Sequence, residues 1–157
     1  MAGEIRTQGT EIFRVNAAGT AIQKIGNVVG LGDFGPEADD IETTNLDSVR
    51  FKEFITGLAD NGEATLQINI DPQNQAHRAL AAEAGTGERT TYVIAYSDGV
   101  SLPTVTTGTV TLPDDRSFTS FLASVKSFRR SVTTNDIVRV TVALRISGDL
   151  TESWAEA

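Results

Sequence analysis

The chain has 157 residues, 21 acidic and 13 basic, a formal net charge of −8 and no cysteine. That length suits one domain, and the absence of thiols excludes disulfide frameworks and thiolate metal centres. Acidity supports solubility and argues against a surface that grips nucleic acid, since such binding relies on basic groups displacing counterions. No apolar run approaches the roughly 20 residues of a transmembrane helix. The opening MAGEIRTQGTEIF lacks the charged-then-apolar order of a secretory signal, so the expectation is synthesis and assembly in the cytoplasm, with no membrane partner.

Residues 1–10 form a polar arm. Residues 11–15 and 23–29 flank the turn Asn16-Ala17-Ala18-Gly19 and predict a hairpin. Residues 30–60 mix turn signals with two possible strands, at 40–44 and 49–56. Within the 33–60 excursion lie Phe34, Ile41, Leu46, Phe51, Phe54, Ile55 and Leu58. That content is too apolar for a solvated loop, so the segment buries either against a partner chain or on its own core.

Residues 63–71 alternate strictly. Ala64, Leu66, Ile68 and Ile70 fall on one face, and Glu63, Thr65, Gln67 and Asn69 on the other. A period of two means a half-buried strand. A helix is predicted over 72–84, with Asp71 as N-cap, Pro72 in the first turn and Gly85 as the stop. Its apolar face is thin (Ala76, Ala79, Leu80, Ala84), which suits the flank of a sheet. Strands follow at 91–96, 104–112 and 117–129. In 137–146, Val138, Val140, Val142, Leu144 and Ile146 oppose Arg139, Thr141, Ala143 and Arg145. A second polar arm, 148–157, carries Leu150 and Trp154 as possible anchors. The fold class is mainly β, with one flanking helix in a single domain spanning 1–157.

Nothing in this order assembles an acid, a base and a nucleophile. His77, the one histidine, falls in the predicted helix beside Arg78 and reads as a surface residue. Gly30-Leu31-Gly32 precedes Asp33 and no helix, so it is no phosphate loop. The pairs Asp39-Asp40 and Asp114-Asp115 lack calcium-loop spacing and read as solvated turns. Arg129-Arg130 reads as a strand end or a salt-bridging site. No catalytic residue, metal ligand or cofactor is predicted.

The stretch DIETTNLDSVRFKEFITGLADNGEATLQINIDP, residues 40–72, resembles the tail tube proteins of siphophages. The shared features are an acidic Thr-rich strand (Ile41, Thr43, Thr44), the turn Leu46-Asp47-Ser48, and a strand with Lys52, Glu53 and Ile55. A turn with Gly57, Leu58, Asp60, Gly62 and Glu63 follows, and then an alternating strand into Asp71-Pro72. Downstream, the helix with Leu80, Ser97-Asp98-Gly99 and Ser147-Gly148 keep the family's order. Some relatives carry a further immunoglobulin-like domain; none is expected within these residues.

The resemblance implies a two-sheet β-sandwich or barrel with a flanking helix. It also implies subunits in rings, usually of six, that stack into the hollow tail tube of a virion, through which DNA is ejected. Each subunit would give about four strands to an inner barrel. About 24 strands spaced ~4.8 Å apart and tilted ~45° give a backbone diameter of ~50 Å and a bore of roughly 40 Å, wide enough for duplex DNA. On this reading Phe34, Ile41, Leu46, Phe51, Phe54, Ile55, Leu58, Leu150 and Trp154 are subunit-contact residues. Glu63, Thr65, Gln67 and Asn69 face an acidic or neutral lumen, and DNA passes without specific binding. Partners are other copies of the chain and the tape measure, tail tip and tail terminator proteins. Two alternatives share parts of this reading: a tube subunit of a contractile tail or type VI-like secretion system, and a monomeric β-sandwich that binds sugar or peptide.

Overall fold

The computed structural model describes residues 3–156. Its elements run β1 (Glu11–Val15), β2 (Ile22–Ile25), β3 (Val28–Leu31), β4 (Glu37–Glu42), β5 (Phe54–Asp60), β6 (Glu63–Asn69), α1 (Gln75–Glu83), β7 (Arg89–Ala95), β8 (Thr104–Thr106), β9 (Thr109–Thr111), β10 (Phe118–Ser131) and β11 (Arg139–Ser153). Seven strands form one antiparallel sheet in the order β2-β1-β7-β10-β11-β6-β3, and β4-β5 and β8-β9 are separate hairpins.

The alternating segments become the central strands. Ala64, Leu66 and Ile68 of β6 and Val140, Val142, Leu144 and Ile146 of β11 share one buried face. Leu80 and Ala76 of α1 pack on the same core, as do Ile12, Ile25, Tyr92 and Phe121. A second cluster, Phe13, Val93, Ala95 and Phe118, lies on the opposite face, where Val110 and Leu112 from the β8–β9 hairpin pack against it. Strand β1 is therefore buried on both faces.

The predicted strand 23–29 is broken at Gly26-Asn27, where Asn27 adopts a left-handed φ of 56°. Strand β2 lies on one edge of the seven-stranded sheet and β3 on the other. In a flat sheet those edges would stand about 29 Å apart, but two residues between strand ends span at most about 11 Å. The sheet must curl back on itself, so the two layers are halves of one hydrogen-bonded sheet. The strand predicted over 104–112 also divides, turning at Thr107 and Gly108, both with positive φ, as a tight hairpin requires.

The helix begins later than predicted. Asn74, not Asp71, is its N-cap, its Oδ1 accepting from Ala76 N at 2.8 Å and His77 N at 3.3 Å. Asp71 is held in a turn ahead of it, accepting from Gln73 N at 3.0 Å. His77 is a core residue and not a surface one, only 1% exposed. Its Nδ1 accepts from Asp71 N at 3.0 Å, so its Nε2 donates to the Gly26 carbonyl 2.7 Å away. One imidazole thus ties the helix start to the β2–β3 crossing.

Strand β11 runs seven residues past the predicted end at Ile146. Residues 151–153 pair with β10, while Gly148, Asp149 and Leu150 bulge opposite Phe121. The first part of the predicted C-terminal arm is thus sheet.

Candidate assembly surfaces

The β4–β5 hairpin stands out from the sheet on residues 33–36 and 60–62. Its strands pair from Glu37↔Asp60 to Glu42↔Phe54. Beyond them Thr43 N donates to Glu53 O at 2.7 Å and Glu53 N to Thr44 Oγ1 at 2.8 Å. The Leu46-Asp47-Ser48 turn is set by Asn45, whose side chain accepts from Asp47 N at 2.8 Å. Gly57 suits a close approach: a Cβ there would sit 3.0 Å from the Asp39 carbonyl oxygen and press the paired strand outward.

The root of the hairpin is pinned to β11. Asp60 Oδ1 accepts from Gly62 N at 2.9 Å and Oδ2 from Arg145 Nη2 at 2.6 Å. The Gly62 N–H, and after it Arg145, hold the Asp60 carboxyl below its ordinary range and raise Arg145 in turn. Asn61 donates to the Gly148 carbonyl, and Ile146 N donates to Gly62 O at 3.1 Å.

Among the described residues fifteen large hydrophobic side chains stand exposed, and seven of them lie between residues 41 and 58: Ile41, Leu46, Val49, Phe51, Phe54, Ile55 and Leu58. They occupy both faces, since Ile41 pairs with Ile55 on one and Phe54 lies opposite Glu42 on the other. An isolated two-stranded ribbon is at best marginally stable in water, and a concentration of exposed apolar groups of this kind marks an interaction surface. Phe34, at the root, differs from the rest of the predicted contact group. It packs on the chain's own core with its ring 5.5 Å from that of Phe121. Leu150 also packs on that core. Trp154 is 62% exposed and borders an apolar groove with Ile5, Val29 and Tyr96.

The polar residues of β6 lie on the sheet face opposite the main core, in the part that the β8–β9 hairpin leaves uncovered. In register, Glu63 faces Arg145, then Ser124 and Arg89; Thr65 faces Ala143; Gln67 faces Thr141, then Arg129; and Asn69 faces Arg139. This face is not acidic. Its strands present Arg89, Arg129, Arg139 and Arg145 against Glu63, and Lys126, at a β10 irregularity, reaches Glu63. Arg145 is paired with Asp60, and Arg139 lies 3.8 Å from Asp136. The strand positions 139 and 145 were legible as basic, but only the register shows Arg89 and Arg129 joining them.

The Ser97-Asp98-Gly99 segment serves the fold. Asp98 accepts from Ser117 N at 3.0 Å and Ser117 Oγ at 2.6 Å, and a Cβ on Gly99 would fall 2.6 Å from Asp115 O. Beside it Arg116, fully buried, donates to Tyr96 O at 2.6 Å, Ser101 O at 3.0 Å and Glu11 Oε1 at 3.1 Å. Among the described residues no three His, Asp or Glu side chains gather as a metal site would need.

Comparison with known proteins agrees with this architecture. Over 150 residues the chain is 27% identical to "Structural protein 3" of Pseudomonas phage PAJU2, covering 92% of this chain and 91% of that one. Its fold is similar to a chain of the anti-feeding prophage baseplate, with a TM-score of 0.72 at 10% identity and full coverage of both chains. It is also similar to the tail tube of SPP1, with a TM-score of 0.69 at 10% identity over 98% of this chain and 81% of that one. The profile of the lambda-like phage tail tube proteins matches residues 3–156, so the chain belongs to the lambda-like phage tail tube family, a family of structural proteins.

Proposed function

We propose that copies of this chain form rings, six to a ring as the family resemblance implies, that stack into the hollow tail tube through which phage DNA is ejected. The observation that carries this reading is the β4–β5 hairpin, which holds seven exposed large hydrophobics on a ribbon too thin to cover them. Covering them on a neighbour contributes roughly 1.5–3 kcal/mol for each side chain fully buried. Open sheet edges support the ring. Among the described residues strand β3 pairs only with β6, and β10 pairs with β7 only as far as Ser124. A closed barrel built from several subunits removes such edges.

In this arrangement Ile41, Leu46, Phe51, Phe54, Ile55 and Leu58 contact neighbours, with Trp154 as an anchor. Phe34 and Leu150 support those contacts from the chain's own core. Glu63, Thr65, Gln67 and Asn69 line the bore, and DNA passes without specific binding. Tape measure, tip and terminator proteins meet the tube in the virion tail, which is assembled in the host cytoplasm. The tube of a contractile tail shares the fold; a sheath seen around the same tube in virions would favour that reading.

Negative-stain electron microscopy of the purified chain tests the proposal. Tubes are expected from the intact protein, and a folded monomer from a variant in which a short Gly-Ser link replaces residues 37–60. Normal tubes from the shortened chain would remove the hairpin from the interface.

A further inference from the structure

The hairpin's charge is as uneven as its hydrophobicity. Residues 33–60 hold eight acidic and two basic side chains, a net −6 of the chain's −8. Seven of those eight carboxylates, all but that of Asp60, are exposed and have no ion-pair partner among the described residues. Such a surface suits a partner that is both apolar and basic.

One surface of the chain has that character. Where β10 passes into β11, Val132 and Ile137 are 77% and 56% exposed. Arg129 and Arg130 beside them are exposed and make no salt bridge among the described residues, and Arg139 has only the 3.8 Å approach to Asp136. Arg130 lies over the Phe128 ring, 4.9 Å from its centroid, which leaves its outer edge free to meet a carboxylate.

The two surfaces stand at opposite ends of the sheet. The hairpin is rooted where Glu63 pairs with Arg145, and the basic end lies where Asn69 pairs with Arg139. Six residues of β6 separate those rows, about 20 Å. An apolar acidic projection at one end and an apolar basic platform at the other cannot meet within one molecule of this shape. Repeated between copies, they generate a head-to-tail contact, which extends as a filament when its rotation does not close a ring.

We infer that the β4–β5 hairpin of one subunit docks on the β10–β11 end of the next copy along the tube, placing its carboxylates against Arg129, Arg130 and Arg139 and its apolar side chains against Val132 and Ile137. This rests on the hairpin being the assembly element. The free edge of β10 beyond Ser124 lies beside the same arginines and offers backbone groups to the incoming ribbon. The contact has a consequence for the bore. It occupies Arg129 and Arg139, cations of the uncovered face that would otherwise meet DNA. What remains there is Glu63 with Lys126 and Asp60 with Arg145, pairs that are already compensated, and Arg89, held to Ser147 Oγ at 3.3 Å.

A charge exchange tests the docking. Assembly is scored by sedimentation and negative-stain microscopy, with circular dichroism confirming the monomer fold. Arg129→Glu with Arg130→Glu is expected to abolish tubes, and adding Asp40→Lys with Glu42→Lys in the hairpin is expected to restore them in part. Wild-type assembly should weaken as salt rises, because exposed pairs are screened over about 8 Å at physiological ionic strength. If the reversed tip assembles as wild type while the hairpin deletion does not, the hairpin remains the assembly element and this docking is wrong. If the tip reversal abolishes tubes and the hairpin reversal restores nothing, the docking is also overturned. Should the double reversal unfold the chain, Arg129→Gln with Arg130→Gln replaces it. Fewer tubes with an intact monomer then support the contact, and undiminished tubes refute it.

Discussion

Nη2 of Arg14 on β1 lies 2.6 Å and 2.7 Å from the two carboxylate oxygens of Glu83 at the end of α1, and the pair is buried. Gln23 takes a second Arg14 nitrogen at 3.1 Å. The contact joins the helix to the strand layer across 69 residues of chain. Removing one member leaves the other charge buried without compensation, which costs about 3–5 kcal/mol. Glu83→Ala is therefore expected to lower the denaturant midpoint strongly, whereas Arg14→Met with Glu83→Leu should recover most of the loss. A Glu83→Ala variant as stable as wild type would show that water reaches the site.

Acid should weaken the fold through the carboxylates held below their ordinary range, Asp60 at the hairpin root and two others, Glu11 and Asp98. Burial raises the Glu11 carboxyl, but Lys24 at 3.0 Å and Arg116 at 3.1 Å outweigh it and bring it below the ordinary value. Burial also raises Asp98, but the Ser117 hydroxyl and N–H oppose it and bring this carboxyl too below the ordinary value. With folded pKa values below unfolded ones, protons bind more tightly to the unfolded chain. The stabilisation is thus complete above the unfolded carboxylate range near pH 4 and is lost as pH falls through the folded values. Asp98→Asn should lower stability at pH 7 and flatten its decline between pH 5 and pH 3, as read by urea denaturation at each pH. An unchanged slope would place the acid sensitivity elsewhere.

How far the sequence carried this reading depended on which residues obeyed a period. Strands β6 and β11 were legible because one face is buried and the other uncovered, so apolar and polar residues alternate. Strand β1 was legible as a strand but not as a doubly buried one, since Arg14 in its middle reads as an exposed position until Glu83 is brought to it. The crossing at Gly26-Asn27 was missed because Gln23 to Val29 looks like one strand locally; only the sheet order shows its halves on opposite edges. Gly followed by Asn was the available turn signal. His77 was misplaced because its partners, Asp71 N and Gly26 O, are backbone groups that leave no mark in the sequence. The apolar hairpin could be singled out by composition, but its partner surface could not, because Arg129, Val132 and Ile137 become one patch only when β10 and β11 pair.

Trp154 offers a test that separates assembly from folding. It is 62% exposed, and the neighbouring backbone is held without its ring, Ala155 N donating to Ser117 Oγ at 2.9 Å and Glu156 N to Asp114 O at 3.0 Å. Tryptophan is enriched among interface hot spots. Trp154→Ala is expected to leave the monomer's melting temperature almost unchanged and to reduce tube yield. A large drop in melting temperature with normal tubes would make the ring part of the chain's own core.

The uncovered sheet face gives the prediction closest to function. Duplex DNA carries one negative charge per ~1.7 Å, and each basic contact adds affinity by releasing counterions. A bore with unpaired cations repeated at every ring would hold the duplex and slow its exit. Glu63 is the acidic residue that β6 presents on this face, and it holds Lys126 in an ion pair. Glu63→Lys therefore changes more than one charge: it adds a cation and releases the one that Glu63 compensates. Gln67, two residues along the same face and exposed, supplies a second position, where Gln67→Lys adds a charge without disturbing a pair. Virions assembled with both substitutions are expected to eject DNA more slowly at low salt. The difference from wild type should shrink as ionic strength rises and the contacts are screened over shorter distances. Glu63→Lys alone should slow ejection more than Gln67→Lys alone, because it also frees Lys126. Equal effects from the two single substitutions would mean that the Lys126 pair is not what neutralises the bore. Ejection unchanged at low salt, from virions whose tubes contain the doubly substituted protein, would place this face on the outside of the tube.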